Sequence, residues 1–205
     1  APSVEYEAVL SNGDVVRKLE GPAKAGFHRV AWDLRYADSS PWTDSPQDDY
    51  IVFNGPLVAP GSFTVSLATR TNGVLKDSGQ QSTIEVKLMR QNALAMASPE
   101  EVVAFSKRLD DMVRQGSGAE SAIKALLVEL DAIKQTLLRS KASGELRDKA
   151  RALELEAMGL QIQLSGDEVR DLAGDPGPVS VKQRLNVIRL GTSYSTYGGT
   201  QMHKR

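Results

Sequence analysis

Ser98-Pro99-Glu100-Glu101 divides this chain, because that order allows little besides the start of a helix. The serine hydroxyl can accept a hydrogen bond at the head of a helix, proline suits the first helical position, and a glutamate three residues after the serine can return the bond; together they make a capping box. Composition changes at the same point. Both Trp and all but one of the 4 Phe lie in residues 1–90, whereas residues 98–173 contain a single aromatic residue, Phe105, among Ala, Leu, Glu, Lys and Arg. This contrast predicts an all-β part followed by an all-α part.

Behind the cap, Val102, Phe105, Leu109 and Met112 mark one helical face, which Gln115-Gly116-Ser117-Gly118 is expected to break. Ile123, Leu126, Leu130, Ile133 and Leu137 then recur at alternating steps of three and four, the spacing of a bundle seam, up to Ser140. Ser143-Gly144 punctuates, and Leu146, Ala150, Leu153, Ala157, Leu160 and Leu164 carry the spacing on to Ser165-Gly166. After Gly174-Asp175-Pro176-Gly177-Pro178, Val181, Leu185 and Ile188 support a shorter fourth helix. The reading is an antiparallel three- or four-helix bundle over residues 98–190, followed by an irregular tail, 191–205.

Ahead of the cap the period is two. Val4 to Leu10 alternates and stops at Asn12-Gly13, a hairpin signal because both central residues of a type I′ turn need positive φ, and the strand from Asp14 to Glu20 is expected to pair back. Residues 27–35 place His28, Val30, Trp32 and Leu34 on one face of a predicted strand, with Arg29, Ala31, Asp33 and Arg35 on the other. Phe63, Val65 and Leu67 open a further strand that turns at Asn72-Gly73, and Ile84, Val86 and Leu88 are expected to face inward at the end of the sheet. Six or seven short strands in this span match the density of an immunoglobulin-like or fibronectin-like antiparallel β-sandwich, residues 1–90, with Trp32 in its core. The expected fold class is therefore α+β in two segregated parts, the sandwich and then the bundle.

Function classes narrow by elimination. The 205 residues allow one or two domains. Twenty-five basic residues against 26 acidic ones leave a formal net charge of −1, which argues against nucleic acid as a partner. With Cys 0, disulfides and thiolate chemistry are out, and no window approaches a membrane span. Ala1 starts neither with Met nor with a signal-like segment, and the chain reads as a mature or excised piece of something longer.

The run Gly13-Asp14-Val15-Val16-Arg17, then Ala25-Gly26-Phe27-His28-Arg29-Val30-Ala31-Trp32-Asp33-Leu34-Arg35, then Gly55-Pro56 and Ala59-Pro60-Gly61-Ser62-Phe63-Thr64-Val65, resembles an immunoglobulin-like module akin to that of the flagellar hook-capping protein. With the helical segment behind it, it resembles more closely the C-terminal region of large bacterial proteins bearing sortilin-like or BNR-repeat β-propellers, often labelled glycosyl hydrolases and usually exported. The likeness covers residues 10–70 and extends to the helices by their order alone. It implies an accessory region, secreted, periplasmic or at the cell surface, whose parent propeller would hold any active site; no catalytic residue carries over.

Chemistry-bearing residues are sparse. His28 reads as a strand residue and His203 as part of the tail, too far apart to build a zinc site, which needs three or four clustered ligands. Asp48-Asp49, Glu100-Glu101 and Asp110-Asp111 are sequence neighbours and point apart on a helix or strand, so they read as solvated faces. Asp33 and Arg35 are assigned a structural role. No catalytic, metal or cofactor-binding residue is assigned and no cofactor is expected. One stretch stands out: residues 36–53, longer than most connections, carry Tyr36, Trp42, Tyr50 and Phe53, a docking or sugar-stacking surface. The reading is a non-catalytic accessory region that supports or docks onto its parent propeller or another envelope protein. The alternatives are a carbohydrate-binding module acting through the loop aromatics, and part of a glycoside hydrolase or peptidase whose site is completed elsewhere.

Overall fold

The structure is a computed structural model that describes residues 3–10, 13–38, 55–89, 97–141, 143–175, 177–193, 195 and 197–203. It falls into two compact units, one of the described residues up to Lys107 and from Thr192 onward, the other of Arg108–Gly191.

The first unit is built on four strands, β1 (Ser3–Leu10), β2 (Val15–Gly21), β3 (Gly61–Thr71) and β4 (Val74–Val86). They form one antiparallel sheet in the order β2-β1-β3-β4. The turn from β3 to β4 is the predicted one: Asn72 at φ 50° and Gly73 at φ 81° supply the two positive values that a type I′ turn demands. β1 pairs with β2 as the hairpin reading requires, although Ser11 and Asn12 lie outside the described residues.

The expected β-sandwich is not formed. Among the described residues there is one sheet and no second layer, so the fold is an α+β mix without a sandwich. The Trp32 segment is not a strand: between Pro22 and Ala37 its one ladder contact is the isolated bridge from Arg35 to Leu57. The reason is local. Leu34 takes φ 57°, a left-handed value that no strand accommodates, and Gly26 sits at φ 139°. With no second sheet to cover them, Ile84 and Leu88 are exposed instead of inward, and Phe27 is fully exposed.

Among the described residues the core of this unit is small, and it lies where the irregular Trp32 segment meets β3. Phe63 is fully buried, Val16 nearly so, and the half-buried Trp32 ring meets Phe63 edge to face at 5.2 Å and 70°. The Trp32 Nε1–H donates to the Arg35 carbonyl at 3.0 Å, which closes the segment on itself.

The cap at Ser98 is formed as read. The Ser98 amide donates to Glu101 Oε2 at 2.8 Å and the Glu101 amide donates to Ser98 Oγ at 3.2 Å. Replacing Ser98 by Ala removes one of these bonds and should cost about 1 kcal/mol, read as a lower denaturation midpoint. The helix they start, α1 (Pro99–Arg139), does not break at Gly116-Ser117-Gly118 but continues for 41 residues. Two glycines cost about 1 kcal/mol each relative to Ala, which packing on the same turns can offset. The Gly198-Gly199 stretch of the tail lies on the first turns of α1, since a Cβ at Gly199 would stand 2.6 Å from the Phe105 ring.

The second unit holds the rest of α1 with α2 (Gly144–Ser165), α3 (Glu168–Leu172) and, up to Gly191, α4 (Val181–Ser193). Leu109 and Leu130 of α1 and Ala150 and Ala157 of α2 are buried. A salt bridge runs through this seam: Lys134 Nζ donates to both oxygens of Glu154, at 2.6 and 2.8 Å. The predicted seam is thus half used, for Leu126 and Ile133 of α1 and Leu146, Leu153 and Leu160 of α2 remain exposed. α3 has no counterpart in the sequence reading; Asp167 caps it by accepting from the amides of Val169 and Arg170.

Candidate functional site

Of the four aromatic residues assigned to a docking or stacking surface, Trp42, Tyr50 and Phe53 lie outside the described residues. Tyr36 can be placed. Its amide donates to the Pro56 carbonyl at 2.9 Å and its carbonyl accepts from Arg17 Nη1 at 3.2 Å. The neighbouring Ala37 amide donates to the Val16 carbonyl at 3.2 Å, and the Val58 amide to the Leu34 carbonyl at 2.9 Å. Residues 34–37 are therefore clamped between β2 and the chain just after residue 54. Gly55 is what allows the approach: a Cβ there would lie 2.2 Å from the Tyr36 carbonyl oxygen and 2.6 Å from that of Ala37.

Arg35 serves the same clamp. Its Nη1–H donates to the Gly55 carbonyl at 2.9 Å, and its amide donates to Asp33 Oδ1 at 3.1 Å, so Asp33 and Arg35 hold a loop. Over the half-buried Tyr36 ring stands the Lys107 ammonium, 4.1 Å from the centroid. This cation–π contact occupies one face of the ring.

The histidines are apart and engaged locally. His28 Nε2 lies 2.6 Å from the Lys24 carbonyl, and His203 Nδ1 accepts from the Thr200 amide at 3.3 Å. No group of three or more His, Asp or Glu among the described residues could hold a metal ion. Of the acidic pairs, Asp48-Asp49 lies outside the described residues, while Glu101 serves the cap, Asp111 pairs with Arg114, and Asp110 lies 4.0 Å from Arg189.

In the second unit a cleft of about 320 Å³ opens between α1 and α4, beside the end of α2. Val113, Ser117, Ser165, Lys182, Gln183 and Arg189 are among its lining residues. Its cations already face acids: Lys182 is hydrogen-bonded to Glu120 and Arg189 lies against Asp110. Burial acts to raise the Glu120 carboxyl, but the hydrogen bonds and charges of Lys182 and Lys124 outweigh it and hold the group below the usual carboxylate range. The Ser165 hydroxyl is buried without a hydrogen-bond partner. α4 is placed here by its own reciprocal cap, in which the Ser180 amide donates to Gln183 Oε1 at 2.9 Å and the Gln183 amide donates to Ser180 Oγ at 3.2 Å. The order Ser180-Val181-Lys182-Gln183 is a capping box and could have been read as one.

Chemically the cleft offers paired charges and amides but neither a nucleophile beside a base nor two converging carboxylates. No family model, curated protein or solved structure matches this chain. Among the described residues no helix is long and apolar enough to cross a membrane.

Proposed function

We propose that the chain is a non-catalytic accessory region of a larger exported protein with sortilin-like or BNR-repeat propellers, and that it supports or docks onto that propeller or an envelope partner. The observation that carries the reading is apolar surface without cover. In the first unit Phe27, Val74, Leu75, Ile84, Leu88 and Met89 are exposed, while among the described residues the buried apolar side chains are Val16 and Phe63. Large apolar side chains left exposed in this number are candidates for contact with other protein. The resemblance of residues 10–70 to the C-terminal regions of such propeller proteins supplies the parent, and with it a location in the periplasm, at the cell surface or outside the cell. The expected partner is protein, not nucleic acid, given the near balance of 25 basic and 26 acidic residues.

A region of this kind has no turnover of its own. The 205-residue chain is expected to hydrolyse neither model glycosides nor model peptides above a buffer blank. Turnover that disappears when a single Asp or Glu is changed to Asn or Gln would contradict the proposal, since it would place a carboxylate-driven reaction within this chain.

A further inference from the structure

Helix α2 carries an apolar row that its own hairpin does not use. Leu146, Leu153 and Leu160 stand seven residues apart, the spacing that stacks side chains in one line along a helix, and they are 50%, 55% and 51% exposed. The adjoining row toward α1 is Ala150 and Ala157, both buried. On the other side of the leucines come Lys149 and Glu156, also seven apart and both exposed. Lys149 meets Glu145 one turn away at 2.7 Å, in a pair whose side chains are 67% and 75% exposed and which holds it weakly. From α1, Leu126 and Ile133 widen the same flank. Lys134 and Glu154 face one another across the hairpin, and Ile133 and Leu153 each come one residue before them, which turns both to the same side of an antiparallel pair.

This row is self-complementary about Leu153. When two copies of α2 are laid antiparallel and crossed there, Leu153 meets its own counterpart, and Leu146 comes level with Leu160 of the second copy. Lys149 then comes within one residue, about 1.5 Å of rise, of the level of Glu156 of the second copy, on the same side of the pair, and Glu156 likewise of Lys149 of that copy. A two-fold axis requires that kind of matching, in which one patch fits itself with opposite charges in register. We propose that α2 is a homodimerisation helix, its partner a second copy of this chain, joined through Leu146, Leu153 and Leu160 and set in register by Lys149 and Glu156. The proposal rests on this helix and its charges alone and stands apart from the accessory reading of the first unit.

Light scattering after size exclusion, at about 100 µM, where a complex of Kd near 1 µM is fully formed, should give twice the monomer mass. Lys149→Glu and Glu156→Lys should each weaken the dimer about tenfold, because each replaces two attractive contacts by two repulsive ones. The double variant K149E/E156K should restore it, and Leu153→Glu should abolish it. Circular dichroism of each variant should keep the helical content of the parent chain, since all three positions are exposed. A monomer at that concentration would overturn the proposal. So would a dimer indifferent to the single charge reversals, or a double variant no tighter than the singles.

Discussion

Phe63→Ala should lower the stability of the first unit by about 3–5 kcal/mol, the cost of removing a large side chain from a closed core. Phe63 is 0% exposed and receives the Trp32 ring edge to face, so the deletion removes its own burial and leaves that ring without a partner. Among the described residues of this unit the other buried apolar side chain is Val16, so little core remains to offset the loss. Chemical denaturation followed by Trp fluorescence would measure it. A midpoint within a few tenths of a kcal/mol of the parent chain would mean that the core lies elsewhere.

Gly55→Ala should cost about 3 kcal/mol, the upper range for forcing atoms into a filled site. The atoms a Cβ would strike, the carbonyl oxygens of Tyr36 and Ala37 at 2.2 and 2.6 Å, belong to the backbone and have no rotamer to change. Relief therefore requires residues 34–37 to move away from residues 55–58, breaking the bonds from Tyr36 to Pro56 and from Arg35 to Gly55. Amide exchange at Tyr36 should rise together with the fall in stability. A variant as stable as the parent, with Tyr36 still protected, would show that the clamp is absent in solution.

The features legible in the sequence are those with a local cause. Ser98 and Glu101 cap α1, Asn72 and Gly73 turn β3 into β4, and Gly166 ends α2 at φ 101° with its amide on the Ile162 carbonyl, each as the residue types require. The features misread depend on what lies opposite. Alternation at residues 27–35 describes a strand on condition that a second sheet exists to receive it, and the left-handed turn at Leu34 has no signature in a leucine. The heptad spacing of α2 shows an apolar stripe without saying which rows the hairpin covers; it covers Ala150 and Ala157 and leaves the leucines exposed. Gly116 and Gly118 signal a break that the surrounding helix overrides.

The candidate surface was legible to a smaller degree. Tyr36 could be picked out as an aromatic at the mouth of a long connection, but neither Lys107 above its ring nor Gly55 behind its carbonyl could, because contacts between residues so distant in sequence leave no local pattern.

The docking reading is tested most directly by hydrogen exchange along Val74–Val86, measured in the chain alone and in a longer protein in which the proposed propeller is joined to it. Among the described residues β4 is an edge strand, paired on one side with β3 and with no strand on the other. The account predicts that exchange across β4 slows in the longer protein, as the exposed side chains Val74, Leu75 and Ile84 become covered. Equal exchange rates in the two would contradict it.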